Sequence, residues 1–101
     1  MSRAESDRPL REREGAPLEI ERLRARIDAV DDAILAQLNE RAELVAQVGR
    51  AKQAEGSAVY EPTRERRIVE RLRAKNPGPF PSAGLAAVFR EIISGTRSLE
   101  E

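Results

Sequence analysis

Residues 18–54 read LEIERLRARIDAVDDAILAQLNERAELVAQVGRAKQA. Apolar side chains stand at Ile20, Leu23, Ile27, Val30, Ile34, Leu38, Val45 and Val48. Steps of three and four residues trace one face of a helix. No proline breaks the run, and the lone Gly49 is tolerable within it. The pattern predicts a single helix from about residue 18 to about residue 54. At a rise of 1.5 Å per residue, some 36 residues span roughly 54 Å. A compact domain of this size has a radius of gyration of only about 13 Å. Much of the stripe therefore needs another chain to cover it, and a homodimer is expected. A simple helical hairpin or coiled-coil module would share that need.

Working outward, residues 1–17 are charged and carry two prolines and a glycine, and they are read as a disordered lead-in to a domain over residues 18–101. Downstream, Glu55-Gly56-Ser57 marks a break, with Gly56 as C-cap. Pro62 suits the first turn of a second helix, whose short apolar face is Ile68, Val69 and Leu72. Asn76-Pro77-Gly78-Pro79 ends it. A third helix opens at Pro81-Ser82 with Ser82 as N-cap, and Leu85, Phe89, Ile92, Thr96 and Leu99 share one of its faces. Nothing alternates with a period of two. The expected fold class is all-α: three helices per chain, one very long, in an entwined homodimer.

Composition narrows the chemistry. The chain has 101 residues with 18 basic and 18 acidic side chains, so it lacks the positive field of a general nucleic-acid binder. It contains no histidine and no cysteine, which excludes an imidazole base, a thiol nucleophile and a disulfide. No metal or other cofactor is expected. No apolar run is long enough to span a membrane, and residues 1–17 have no secretory core, so the expected location is cytoplasmic.

The informative feature is what interrupts the apolar stripe. Continued past Leu38 in the same steps, it meets Arg41, Val45, Val48 and Lys52. Two cations thus occupy a face that should be buried, and an unpaired buried charge is costly. The second helix begins with Glu61, Arg64 and Glu65 beside its apolar face, and Thr96 and Glu100 prolong the third. These charges fit a convergent polar pocket. They fit equally well an ordinary solvated surface, in which long side chains lie over apolar area with their heads in water. Arg24 lies seventeen residues before Arg41, about 25 Å along a helix axis. It cannot share Arg41's pocket within one chain, but an antiparallel partner could bring it there.

Three segments resemble a known family. LRARIDAVDDAILAQLNERAELVAQVGRAKQ, with its L-R-x-x-I-D, L-x-x-R and V-G-x-x-K order, is similar to the first helix of the all-α chorismate mutases. VYEPTRERRIVERL resembles their second helix and NPGPFPSAGLAAVFREIISGTRSLEE their third. The ending looks most like the mutase domain of bifunctional chorismate mutase–prephenate dehydratases, and the NPGPF turn is also similar to mutase domains fused to the first enzyme of aromatic biosynthesis. The resemblance implies an isomerase that turns chorismate into prephenate without a cofactor, either free-standing or fused to or associated with a prephenate dehydratase.

It also implies roles. Arg41 and Arg64 match the family's carboxylate-binding arginines, and Arg24 the arginine supplied by the partner subunit. Lys52 matches the lysine on the ether oxygen, and Glu65 the glutamate on the substrate hydroxyl, with Glu61 the acidic residue near it. Thr96 replaces a serine or similar small residue. Glu100 stands where some members have glutamine and others glutamate. Val48, Ile68 and Ile93 wall the cavity. Chorismate carries two carboxylates, which suits guanidinium clamps. Its intramolecular rearrangement needs no nucleophile or proton acceptor, which suits a chain without His or Cys. A non-catalytic module on the same scaffold remains the alternative; the presence of Arg41, Lys52 and Glu65 weighs against it. A helical nucleic-acid binder is opposed by the zero net charge and the 3% aromatic content.

Overall fold

The computed structural model describes residues 10–57 and 61–100, with side chains from Pro17 onward. It holds three α-helices, α1 (Leu10–Glu55), α2 (Pro62–Lys75) and α3 (Ser82–Thr96), followed by a 3-10 turn over Arg97–Glu100. No strand occurs among the described residues.

Helix α1 ends one residue beyond the expected limit but begins at Leu10, eight residues before it, and runs through Pro17. The part of the expected lead-in from Leu10 on is thus helical, and residues 1–9 lie outside the described residues. One proline deletes a single N–H donor, and the Arg and Glu residues before it are good helix formers. At the other end, Gly56 adopts φ +75°, the left-handed conformation that glycine takes without cost. Its N–H donates to the Gln53 carbonyl at 3.2 Å and that of Ser57 to the Lys52 carbonyl at 2.9 Å. This is a Schellman closure, which satisfies two of the last carbonyls of α1.

Helix α2 opens with Pro62 at its first position, after an extended Glu61. It closes at Asn76, whose amide donates to the Phe80 carbonyl at 2.8 Å and whose side-chain oxygen accepts from the Gly78 N–H at 3.0 Å. Ser82 is not the N-cap of α3. Pro81 takes that place, and its carbonyl accepts from the Leu85 N–H at 2.9 Å. The Ser82 hydroxyl instead accepts from Arg73 Nε at 2.9 Å, tying the start of α3 to the end of α2. Leu99, assigned to the apolar face of α3, lies in the 3-10 turn and is exposed. The turn's change of pitch takes it off that face.

The chain divides after Gln37. In the stretch up to that residue the apolar stripe of α1 is uncovered: Leu23 is 45% exposed, Ile27 58%, Val30 58% and Ile34 52%. In the stretch from Leu38 on, α2 packs on α3, and the buried apolar residues are Ile68, Val69 and Ala86. Three such residues among those described make a very small core.

Candidate active site

One cavity of about 430 Å³ opens among residues that all follow Leu38. Helix α1 contributes Arg41, Leu44, Val45, Val48 and Lys52. These positions recur every three or four residues, so a single face of α1 forms one wall. Glu61, at the start of α2, adds a carboxylate, and Arg64, Glu65 and Ile68 follow from the first two turns. Ile93 and Thr96 come from the end of α3, and Arg97 and Glu100 from the 3-10 turn. The cavity thus gathers every site residue named from the sequence except Arg24, which is exposed on α1.

Two wall residues escaped the sequence reading. Leu44 lies three residues after Arg41 and four before Val48, within the apolar periodicity already in view. Arg97 lies four residues after Ile93, and that spacing was the available signal.

The charges are arranged unevenly. Arg41, Lys52, Arg64 and Arg97 face Glu61, Glu65 and Glu100. Lys52 Nζ donates to Glu61 Oε1 at 2.6 Å. That hydrogen bond, and then the ammonium charge itself, hold the Glu61 carboxyl below its ordinary value, with Arg64 and Arg67 adding smaller effects. Arg97 Nη2 donates to Glu65 Oε1 at 2.9 Å. Two of the three carboxylates are therefore matched within the wall. Arg41 and Arg64 form no ion pair among the described residues. Arg41 Nη1 is shut off from solvent and has no hydrogen-bond partner there. A buried guanidinium donor left unmatched is a standing cost, and an anionic ligand in the cavity would remove it.

The Thr96 hydroxyl lies within hydrogen-bond reach of the Ile92 carbonyl at 3.1 Å and the Ile93 carbonyl at 3.2 Å. Its proton is turned back onto its own helix, so toward the cavity it offers lone pairs. Glu100 is seated by a close approach. A Cβ on Gly49 would stand 2.7 Å from the Glu100 Cα and 2.9 Å from its carbonyl oxygen. Only a glycine at position 49 lets the turn lie this close to α1. Among the described residues, no group of three or more Asp, Glu, His or Cys side chains is placed to hold a metal ion. No helix there is long and apolar enough to cross a membrane.

Fold and cavity together define a small all-helical domain whose cavity wall carries both ion-paired and, among the described residues, unpaired cations. Comparison with known proteins gives the family. The model of the chorismate mutase type II family matches residues 23–101, and the chain belongs to that family. It is 40% identical over 87 residues to the bifunctional chorismate mutase/prephenate dehydratase of Aquifex aeolicus, covering 82% of this chain and 24% of the relative. It is 37% identical over 59 residues to an intracellular chorismate mutase of Mycobacterium tuberculosis, covering 58% of this chain and 56% of that one. The solved structure of a chorismate mutase from Thermus thermophilus superposes with a TM-score of 0.79 at 39% identity, covering 81% of this chain and 93% of that one. The chain spans about a quarter of the length of the bifunctional relatives it matches.

Proposed function

We propose that the chain catalyses the rearrangement of chorismate to prephenate in the cavity of Arg41, Lys52, Arg64 and Glu65. The single observation that carries the reading is the pair of arginines without an ion-pair partner among the described residues, one with a buried unmatched nitrogen, beside a lysine already aimed by a carboxylate. A dianion with an ether oxygen between its charges has the complementary chemistry.

The reaction breaks one C–O bond and forms one C–C bond within the same molecule. No proton is exchanged and no intermediate is attached to the protein. The enzyme's task is to hold the compact, chair-like conformer in which the reacting ends meet, and to stabilise charge as it moves. Arg41 and Arg64 hold the carboxylates, with Val48, Ile68 and Ile93 pressing on the apolar skeleton. Glu65 accepts the hydrogen bond of the substrate hydroxyl. Negative charge grows on the ether oxygen as the C–O bond lengthens. Lys52 meets that charge with a donor fixed beforehand, so it stabilises the transition state more than the bound substrate. Glu61, assigned from the resemblance to the neighbourhood of the hydroxyl, has the role of aiming Lys52; the ammonium keeps two further protons for the substrate. Glu100 and Thr96 complete the cavity wall at the end of α3.

The site is shared between two copies. The uncovered stripe of α1 supports a homodimer: fully burying a side chain such as Ile27 or Ile34 stabilises by about 1.5–3 kcal/mol. In an antiparallel pair the partner subunit's Arg24 closes the cavity and meets a substrate carboxylate. The enzyme serves phenylalanine and tyrosine biosynthesis in the cytoplasm, free-standing or joined to a prephenate dehydratase. Adding the purified chain to chorismate tests the activity. Chorismate's ultraviolet absorbance is expected to fall at a rate proportional to protein; a rate equal to that of buffer refutes it.

A further inference from the structure

Arg97 lies in the 3-10 turn after α3 and lines the cavity. It reaches across 32 residues of sequence to donate from Nη2 to Glu65 Oε1 at 2.9 Å. The Glu65 side chain is 28% exposed, half-withdrawn from water, and that of Arg97 is 41% exposed. A glutamate has three side-chain torsions, and a free one near a helix start samples many rotamers. The guanidinium contact holds one carboxylate oxygen, whereas Oε2 has no partner among the described residues. The free lone pairs of that carboxylate are thereby given a fixed direction within the cavity wall.

We propose that Arg97 is a positioning residue for Glu65, holding Oε1 so that the other carboxylate oxygen is presented to the substrate hydroxyl. The inference rests on the reading of the cavity as a chorismate site. Arg97 acts through the Glu65 carboxylate and need not touch the substrate. The hydroxyl contact is made alike in the bound substrate and the transition state, so its loss falls mainly on KM rather than on kcat. The pair is partly exposed, so it adds little to stability.

The test uses the full chain and initial rates of chorismate loss. Arg97→Ala is expected to raise KM about ten- to a hundredfold, the effect of losing one hydrogen bond to a charged group. Its melting temperature should stay close to that of the unaltered chain. Arg97→Lys, which keeps a charge but not the planar fork, should recover part of the loss. In a Glu65→Gln background, Arg97→Ala should add little further rise in KM, because both act through the same contact. An unchanged KM in Arg97→Ala overturns the proposal. So does a fall in kcat alone with a lowered melting temperature, the mark of a structural role. Full additivity with Glu65→Gln also overturns it, because Arg97 then acts on the substrate directly. If the unaltered chain leaves chorismate intact, the reading of the cavity fails and the inference with it; if the chain is active, these outcomes bear on Arg97 alone.

Discussion

Replacing Gly49 with alanine sets two effects of opposite sign against each other. Within α1, alanine is a better helix residue than glycine by about 1 kcal/mol. Against that, the new methyl carbon falls 2.7 Å from the Glu100 Cα, 2.9 Å from its carbonyl oxygen and 3.1 Å from its carbonyl carbon. Ordinary contact between carbons needs about 3.5–4.0 Å, so the backbone of the turn must retreat by about 1 Å. Overpacking of this kind costs about 1–3 kcal/mol where the neighbour cannot yield. Here the atoms met are all backbone of Glu100, so the 3-10 turn has to shift as a unit. Gly49→Ala should therefore lower the melting temperature modestly, and it moves the turn that carries Arg97 and Glu100. A misplacement of about 1 Å among positioning groups can lower kcat/KM about a hundredfold. The assays are circular dichroism melting and initial rates of chorismate loss on the same preparation. A variant with unaltered kcat/KM would show that the placement of the turn has no bearing on the site.

Lys52→Ala should lower kcat by roughly two to three orders of magnitude, as for other single donors to a developing oxyanion, with helix content unchanged by circular dichroism. Arg24→Ala and Arg41→Ala should each be nearly inactive alone, yet mixed dimers should regain activity at the one site that carries neither change; verified heterodimers without activity would overturn the shared site. The depressed Glu61 carboxyl gives a contribution to stability that is fully present above its ordinary value of 4.5 and lost as pH falls below that through the lowered one. Melting temperature measured against pH should show that loss in the unaltered chain, and Glu61→Gln should remove it.

The helices were legible in the sequence because α1 repeats its apolar positions over many turns and Gly56, Pro62 and Asn76 are punctuation with local causes. The gathering of Arg41, Lys52, Arg64, Glu65 and Glu100 around one cavity was only half legible: charges on apolar faces fitted a pocket and a solvated surface equally well, and the resemblance to a family supplied their roles. What stayed hidden depends on contacts between distant segments. Arg97 reads as one more surface arginine until α3 ends and the turn swings it toward Glu65. Gly49 reads as a tolerated flaw in a helix until Glu100 is seen to lie against it. The Ser82 hydroxyl reads as a cap until Arg73 is found bonded to it. The start of α1 was hidden for another reason: Pro17 reads as a break, whereas the helix-forming residues on either side of it carry the helix through.

A cavity that only rearranges chorismate converts it to prephenate and does nothing else to it. Proton nuclear magnetic resonance of chorismate incubated with the purified chain tests this most directly, because it follows substrate and products together. Each chorismate lost should appear as one prephenate, with no pyruvate released, and Arg41→Ala should abolish the conversion. Chorismate that persists at the rate of buffer alone, or that disappears with release of pyruvate, would contradict it.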